Sequence, residues 1–364
     1  MIIKSKQTMK KQTKIILAFS LLVLFSPSCI KEDNQPEGTG FLHGVYIVNE
    51  GGFTKNNGSI SYLDEASFLI YPNLFAQVNN RGPGDVVQSF SVAGDMGFIV
   101  ANNSQKVEVI DMETFESIGT ILNVDYPRYL IGVTDKKAYL TNGSFAGSVK
   151  VINLDNLEIE SEISVGSGPE NLLLSGGKVF VANSGGWGLD STVSVIDPGN
   201  DVVTHTIDVG DNPTDLVEDA NGDIWVLCKG KVVFDQNWNV IEETDSRLVQ
   251  IKTSDFTIGK SIVIGKKGDF FSPLHLAISN DGKMLFYAES DGVYKVGISA
   301  VDAPLEPFIK GTFYGLDIDP DSGVIYVLKA NGFDANGSAY RYEGDGMLID
   351  SLQVGIAPNA AVFN

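Results

Sequence analysis

Side chains able to do chemistry are sparse in this chain, and their spacing suits a catalyst poorly. The three histidines, His43, His205 and His275, lie far apart, so no short-spaced pair offers a histidine metal site. Two cysteines, Cys29 and Cys228, cannot build a disulfide framework. There is no G-x-S-x-G elbow, no P-loop and no dinucleotide-binding fingerprint. Four arginines are too few to converge on a sugar phosphate, and Arg128 alone is placed to serve a site. What the chain carries instead is large aromatics in loop-like stretches: Phe53, Phe145, Trp187, Trp238 and Phe333, with Tyr126, Tyr129, Phe270, Phe271 and Tyr314 at junctions. Asn142 and Asn183 stand at the roots of two of these loops. Rings supply rigid apolar area at little entropic cost, and amides satisfy polar groups without desolvating a charge. Such a set points to non-covalent binding of a large, mostly neutral organic molecule, with no enzyme activity, metal or cofactor expected.

The elements that position these residues follow from periodicity. Prolines that precede short apolar strands occur at Pro83, Pro127, Pro169 and Pro213, spaced 44, 42 and 44 residues apart. Pro273 follows after 60 and Pro358 after a further 85, close to two more periods. Each unit repeats strand, tight turn, strand, loop, strand, turn, strand, with copies at 46–49 (YIVN), 139–142 (YLTN) and 180–183 (FVAN). Apolar residues alternate with period two and no segment past residue 28 sustains a helical period, so the chain is expected to be all-β. Four short antiparallel strands per unit mark a propeller blade. Residues 41–364 divided by seven give about 46 per blade, whereas six blades would need 54 and eight about 40. Seven fits.

The first unit begins at its second strand, Val45 to Asn49, and the tail 357–364 supplies the missing first strand. The expected fold is therefore a seven-bladed β-propeller whose C-terminal strand pairs with the N-terminal blade and closes the ring, hiding its edges. One face then carries short Gly and Asp turns such as 175–178 and 280–283, which need positive φ and Asx bonds. These could also offer carboxylates to calcium, although none matches a calcium-loop pattern. The other face carries the long second-to-third strand loops and the junctions, where the aromatics lie. Strand aromatics Tyr139, Phe180, Trp225, Tyr287 and Tyr326 share one register and are expected to pack between blades. Any single loop ring could instead fold back over its own backbone.

Composition agrees with a turn-rich, well-cored protein: 39 glycines, 13 prolines and 43% apolar residues in 364. With 26 basic and 46 acidic side chains the formal charge is −20, which argues against a sequence-independent grip on nucleic acid. At the N-terminus, Lys10, Lys11 and Lys14 precede the apolar run Ile15 to Phe25, too short for a comfortable span, which reads as a signal peptide over 1–28. Residues 1–8 add nothing to it, so Met9 is the expected start. Ser26 to Cys29 resembles a bacterial lipobox, implying lipidation at Cys29, and 29–33 (CIKED) resembles an acid-rich export tag of Bacteroidetes lipoproteins. Residues 29–40 read as a flexible tether and 41–364 as the propeller. The processed chain would carry about −25. Lipid would then hold it at the outer membrane, facing the exterior, as its one membrane contact.

The YLTN-type motif, the Val-Ile-Asp of the third strand and the Val-Gly-x-x-Pro junction resemble YVTN-repeat, YncE-like seven-bladed propellers. The resemblance covers 41–364 and is strongest over the first four units; Cys228-Lys229, Glu289 and Lys329 replace the loop asparagine later. Together with the lipoprotein N-terminus and the opening 48–53 (VNEGGF), it resembles BtuG-like, cobalamin-capturing surface propellers. That resemblance implies a corrinoid ligand and hand-off to an outer-membrane transporter. A protein- or glycan-binding scaffold on the same aromatic face is the alternative, with a propeller lactonase a weaker one.

Overall fold

Alternation places one set of side chains of each strand between blades and the other against the neighbouring blade on the far side, so both faces of most central strands are buried. In Gly44–Asn49 all six residues are buried, as they are in Ser59–Asp64. The computed structural model describes residues 40–265 and 274–364. Among them, seven four-stranded antiparallel sheets form the blades of a β-propeller.

Blade one joins Pro358–Phe363, Gly44–Asn49, Ser59–Asp64 and Ile70–Tyr71. Blades two to four run Val87–Ala93 to Ser117–Ile121, Pro127–Thr134 to Glu158–Ser164, and Pro169–Ser175 to Val202–Asp208. Blades five to seven run Pro213–Glu218 to Ile258–Val263, Leu274–Ile278 to Ile309–Lys310, and Gly315–Ile318 to Leu348–Ile356. Each first strand packs against the first strand of the next blade, and Pro358–Phe363 contacts both Gly315–Ile318 and Val87–Ala93. The ring is closed. Its seam is the antiparallel pairing Val45↔Phe363, Tyr46↔Val362, Ile47↔Ala361 and Val48↔Ala360.

The recurrent strand aromatics are fully buried: Tyr139, Phe180, Trp225, Tyr287 and Tyr326 each lie in an apolar cluster shared by adjacent blades or within one. Cys228 is buried as well, and burial pushes its thiol pKa up. The repeated Val-Gly has a steric reason. A Cβ on Gly166 would sit 2.6 Å from the Asn183 side chain of the next blade, and one on Gly355 would sit 2.7 Å from that of Asn49. Where Cys228 replaces the asparagine, Gly210 has room, with Sγ 4.0 Å away. Gly355→Ala should therefore cost about 1–3 kcal/mol through overpacking. Urea unfolding would show a lowered midpoint at unchanged slope, while Gly344→Ala, with open space around it, should leave the midpoint in place.

Three local departures from simple repetition appear. A six-residue helix, Leu74–Asn79, bridges blades one and two; it buries Leu74 and Phe75 and ends on a left-handed Asn80. It is too short to give a periodic signal. In blade two the first strand starts at Val87, four residues after Pro83, whereas Pro127, Pro169 and Pro213 each open theirs. Blade five carries an inserted hairpin, Val232–Phe234 with Val240–Glu243, between its second and third strands.

Candidate functional site

The start of each first strand pairs with the end of its second: Pro127↔Asn142, Pro169↔Asn183 and Asn49↔Pro358. This register puts the junctions and the second-to-third strand loops on one face, around the mouth of the axial channel. Side chains from that mouth downward form two tiers.

The upper tier is aromatic and open to solvent. Trp187 is 87% exposed, Trp238 82% and Phe145 64%; Phe53, Tyr126 and Phe333 are also exposed. Neighbouring loops brace one another. The Phe145 ring lies against Gly188, where a Cβ would come within 2.7 Å of its Cζ, so the loops of blades three and four touch. Phe333 meets Tyr314 edge-on with centroids 5.8 Å apart, and its carbonyl abuts Gly52 beside Phe53. Trp238 sits at the hairpin tip of blade five with a positive φ, its ring tilted on Phe234 at 5.9 Å. A cavity of about 220 Å³ lies under Trp187, bordered by Asn102, Tyr126, Arg128, Gly143, Glu170 and Gly186.

The lower tier is a polar well of about 310 Å³ on the axis, whose walls include Glu50, Gln88, Arg128, Tyr129, Tyr314 and Asn359. Arg128 donates from Nε to Glu170 Oε2 at 2.8 Å and from Nη1 to Gln88 Oε1 at 2.5 Å. Burial works against its charge, but Glu170 together with Tyr129 and Glu50 outweighs it and holds the Arg128 pKa up. Gln88 in turn donates from Nε2 to the Tyr129 hydroxyl at 3.3 Å. Across the well, Glu50 accepts from the Tyr314 hydroxyl at 2.9 Å and from Asn359 Nδ2 at 3.0 Å. Burial raises the Glu50 carboxyl pKa, and these two hydrogen bonds offset part of the rise. Burial also pushes the Tyr129 and Tyr314 hydroxyls far up, so both remain neutral donors. The well can thus orient amides and hydroxyls through fixed dipoles.

The aromatic residues named from sequence divide accordingly. Tyr126 and Trp187 border the cavity beside the well, Phe145 and Phe333 with the neighbouring Phe53 are exposed on the adjoining loops, Trp238 is exposed at the blade-five hairpin tip, and Arg128, Tyr129 and Tyr314 line the well. Phe270 and Phe271 lie outside the described residues, as do Cys29 and the whole of 1–39. Asn142 and Asn183 are buried and serve the loops: Asn142 Oδ1 accepts from Tyr126 N at 2.9 Å, and Asn183 Nδ2 donates to Thr192 and Ser194 hydroxyls at 3.0 Å. Those bonds hold the loops in place, while the Asn183 Oδ1 is buried without a hydrogen-bond partner. Sequence reasoning missed Glu50, Gln88, Glu170 and Asn359. The available signal was a polar residue directly after a junction proline, as in Pro127-Arg128, Pro169-Glu170 and Pro358-Asn359, where strand alternation alone gives no reason for charge.

Fold and site together define a seven-bladed propeller with an aromatic loop face above a polar axial well. Residues 43–354 match the family described as a domain of unknown function, DUF5074, and the chain belongs to that family. Among solved structures, the chain is similar to a quinonprotein alcohol dehydrogenase-like protein from Bacteroides thetaiotaomicron, at 16% identity and TM-score 0.63, covering 89% of this chain and 78% of that one. It is also similar to hydrazine synthase of Kuenenia stuttgartiensis, at 16% identity and TM-score 0.55 over 73% and 86% of the two chains. The designed Ika8 protein aligns at 11% identity and TM-score 0.58 over 88% and 91%. At such identities the likeness concerns the fold alone. No curated protein matches the chain.

Proposed function

We propose that the loop face is the receptor surface of a lipid-anchored outer-membrane protein that captures a large, mostly neutral organic ligand, a corrinoid such as cobalamin, and passes it to an outer-membrane transporter. The observation that carries this reading is the set of exposed rings on the loops of blades one, three, four, five and seven, on the face where the well opens. A corrin ring is wider than either cavity, so it would lie across the rim with its amide-bearing edge over Glu50, Gln88 and Tyr129. Each well-placed ring contact contributes about 0.5–1.5 kcal/mol beyond area burial, and several together support tight binding. The acidic net charge disfavours nucleic acid, and in the well the Arg128 charge is already met by Glu170.

Calorimetric titration of the purified protein with cyanocobalamin tests this directly. Saturable heat at one site per chain, with co-elution on gel filtration, is expected. No heat and no co-elution would remove the corrinoid reading, and strong glycan-array signals in that case would favour a glycan-binding scaffold on the same face.

A further inference from the structure

We propose that one corner of the face opposite the aromatic loops is a membrane-docking surface, which seats the propeller on a bilayer of zwitterionic lipid. The third-to-fourth strand connections of blades six, seven and one carry exposed apolar side chains: Val301 and Leu305 in 298–308, Met347 in 343–347, and Phe68 and Leu69 in 65–69. Leu305 is 94% exposed, more than any ring on the loop face. Among the described residues, the same connections in blades two to five expose no large apolar side chain. Blade two buries Met112 and Phe115 there, and blade three buries Leu154. The apolar surface is therefore one-sided. A turn needs none of these groups, and exposed apolar clusters mark contact with a protein or a membrane.

Contacts join the three connections into one surface. Phe308 Cζ of blade six lies 3.0 Å from where a Cβ on Gly346 of blade seven would sit, and Lys295 Nζ donates to the Gly344 carbonyl at 3.1 Å. The Arg341 guanidinium of blade seven lies over the Phe68 ring of blade one, 5.8 Å from its centroid. The described chain enters the propeller at the same end of blade one. Gly44, the first residue of its strand, pairs with Asp64, immediately before the 65–69 connection. Just upstream, Phe41 packs edge-on against Tyr71 of blade one and Phe115 of blade two, with centroids 6.0 Å apart in both cases. Tyr71 is two positions from Leu69.

That entry point selects the occupant. The inference rests on the lipid-anchored reading for where the bilayer lies: the eleven residues from Cys29 to Gly40 reach at most about 40 Å, so an anchor at Cys29 holds this corner near the lipid surface. Tethering raises the effective concentration of lipid at the corner, so a few shallowly inserted side chains suffice to dock it. Charge selects the lipid. Glu65, Asp302, Glu306 and Asp345 are exposed among the apolar groups, and of these Glu306 has a partner in Lys310 at 3.7 Å. Anionic headgroups repel these carboxylates, whereas the ammonium of phosphatidylethanolamine attracts them. Docked by this corner, the propeller keeps its loop face open to the exterior, where ligand arrives.

Fluorescence quenching on vesicles tests the inference. Phe68→Cys, Leu305→Cys, Leu174→Cys and Phe145→Cys, each in the full chain, are labelled with an environment-sensitive fluorophore, and the parent chain sets the background. The vesicles are phosphatidylcholine and phosphatidylethanolamine with a nitroxide-bearing lipid as quencher. Labels at Phe68→Cys and Leu305→Cys should be quenched at least threefold more than those at Leu174→Cys, in blade four of the same face, and Phe145→Cys on the loop face. Replacing phosphatidylethanolamine by phosphatidylglycerol should at least halve that quenching. Adding Leu69→Ser and Met347→Ser should halve it too, at an unchanged thermal midpoint, since both side chains are exposed. Failure to associate with the vesicles, equal quenching at all four positions, or indifference to the headgroup or to the two serines would each overturn the docking. Vesicle-bound chain with both corner labels unquenched would overturn it as well, and would give the corner to a protein partner. The mass of the Cys29 peptide reads the anchor and cyanocobalamin titration reads the loop face, so failure of either is distinguishable from failure of the docking.

Discussion

A chain ending at Ile356 should fail to fold to a stable monomer, although it lacks eight residues of 364. Those residues hold the first strand of blade one. Removing them strips a partner from Gly44–Asn49 and uncovers Val45, Tyr46, Ile47 and Val48, all now fully buried. Each such side chain contributes about 1.5–3 kcal/mol on burial, so the loss rivals the 5–15 kcal/mol that stabilise an ordinary domain. Closure also depends on polar links: Ala361 N donates to Asp317, Asn359 bonds Glu50 and Gln88, and Glu50 N donates to the Ala357 carbonyl at 3.0 Å. The truncated chain should aggregate or lose its cooperative thermal transition. Adding the peptide 356–364 should restore part of it, because the vacated strand position is complementary to that segment alone. A truncated protein melting at the full-length temperature would mean the seam carries no stability.

The second large effect concerns ligand affinity. Trp187 is almost wholly exposed on a loop braced by Phe145, over the cavity bordered by Tyr126 and Arg128. It stabilises little of the fold, so Trp187→Ala should leave the unfolding midpoint within experimental scatter. A tryptophan that becomes buried in a complex behaves as a hot spot worth about 2 kcal/mol or more, roughly thirtyfold in affinity. Cyanocobalamin should accordingly bind Trp187→Ala about thirtyfold more weakly, and the same holds for Trp238→Ala if the blade-five hairpin closes over the ligand. Leu305→Ala, exposed in a third-to-fourth strand connection, should bind as the parent does. Equal affinity across all three variants would place the ligand elsewhere.

The propeller was readable because its signals are local. Proline spacing, period-two alternation and the YVTN-type strand all lie within one blade, and the tail showed which strand blade one lacked. The well was not readable for the opposite reason. Asn359 and Glu50 are 309 positions apart, Tyr314 and Glu50 264, and only ring closure brings them together. The exposed rim was legible as aromatic side chains in turn-rich sequence, where a bare turn needs none. That Asn142 and Asn183 are buried, with one side of each amide tied to the junction or third strand beside it, depends on pairing across the blade and shows in no single segment. The Val-Gly repeat belongs to the same arrangement, since the glycine exists to admit the next blade's asparagine.

Hydroxyl-radical footprinting with and without cyanocobalamin tests the receptor face most directly. Oxidation of Phe53, Phe145, Trp187, Trp238 and Phe333 should fall together when the ligand is added, while exposed residues of the opposite face, such as Leu305, keep their reactivity. Unchanged oxidation of those five rings at saturating ligand, or protection confined to the other face, would contradict the account.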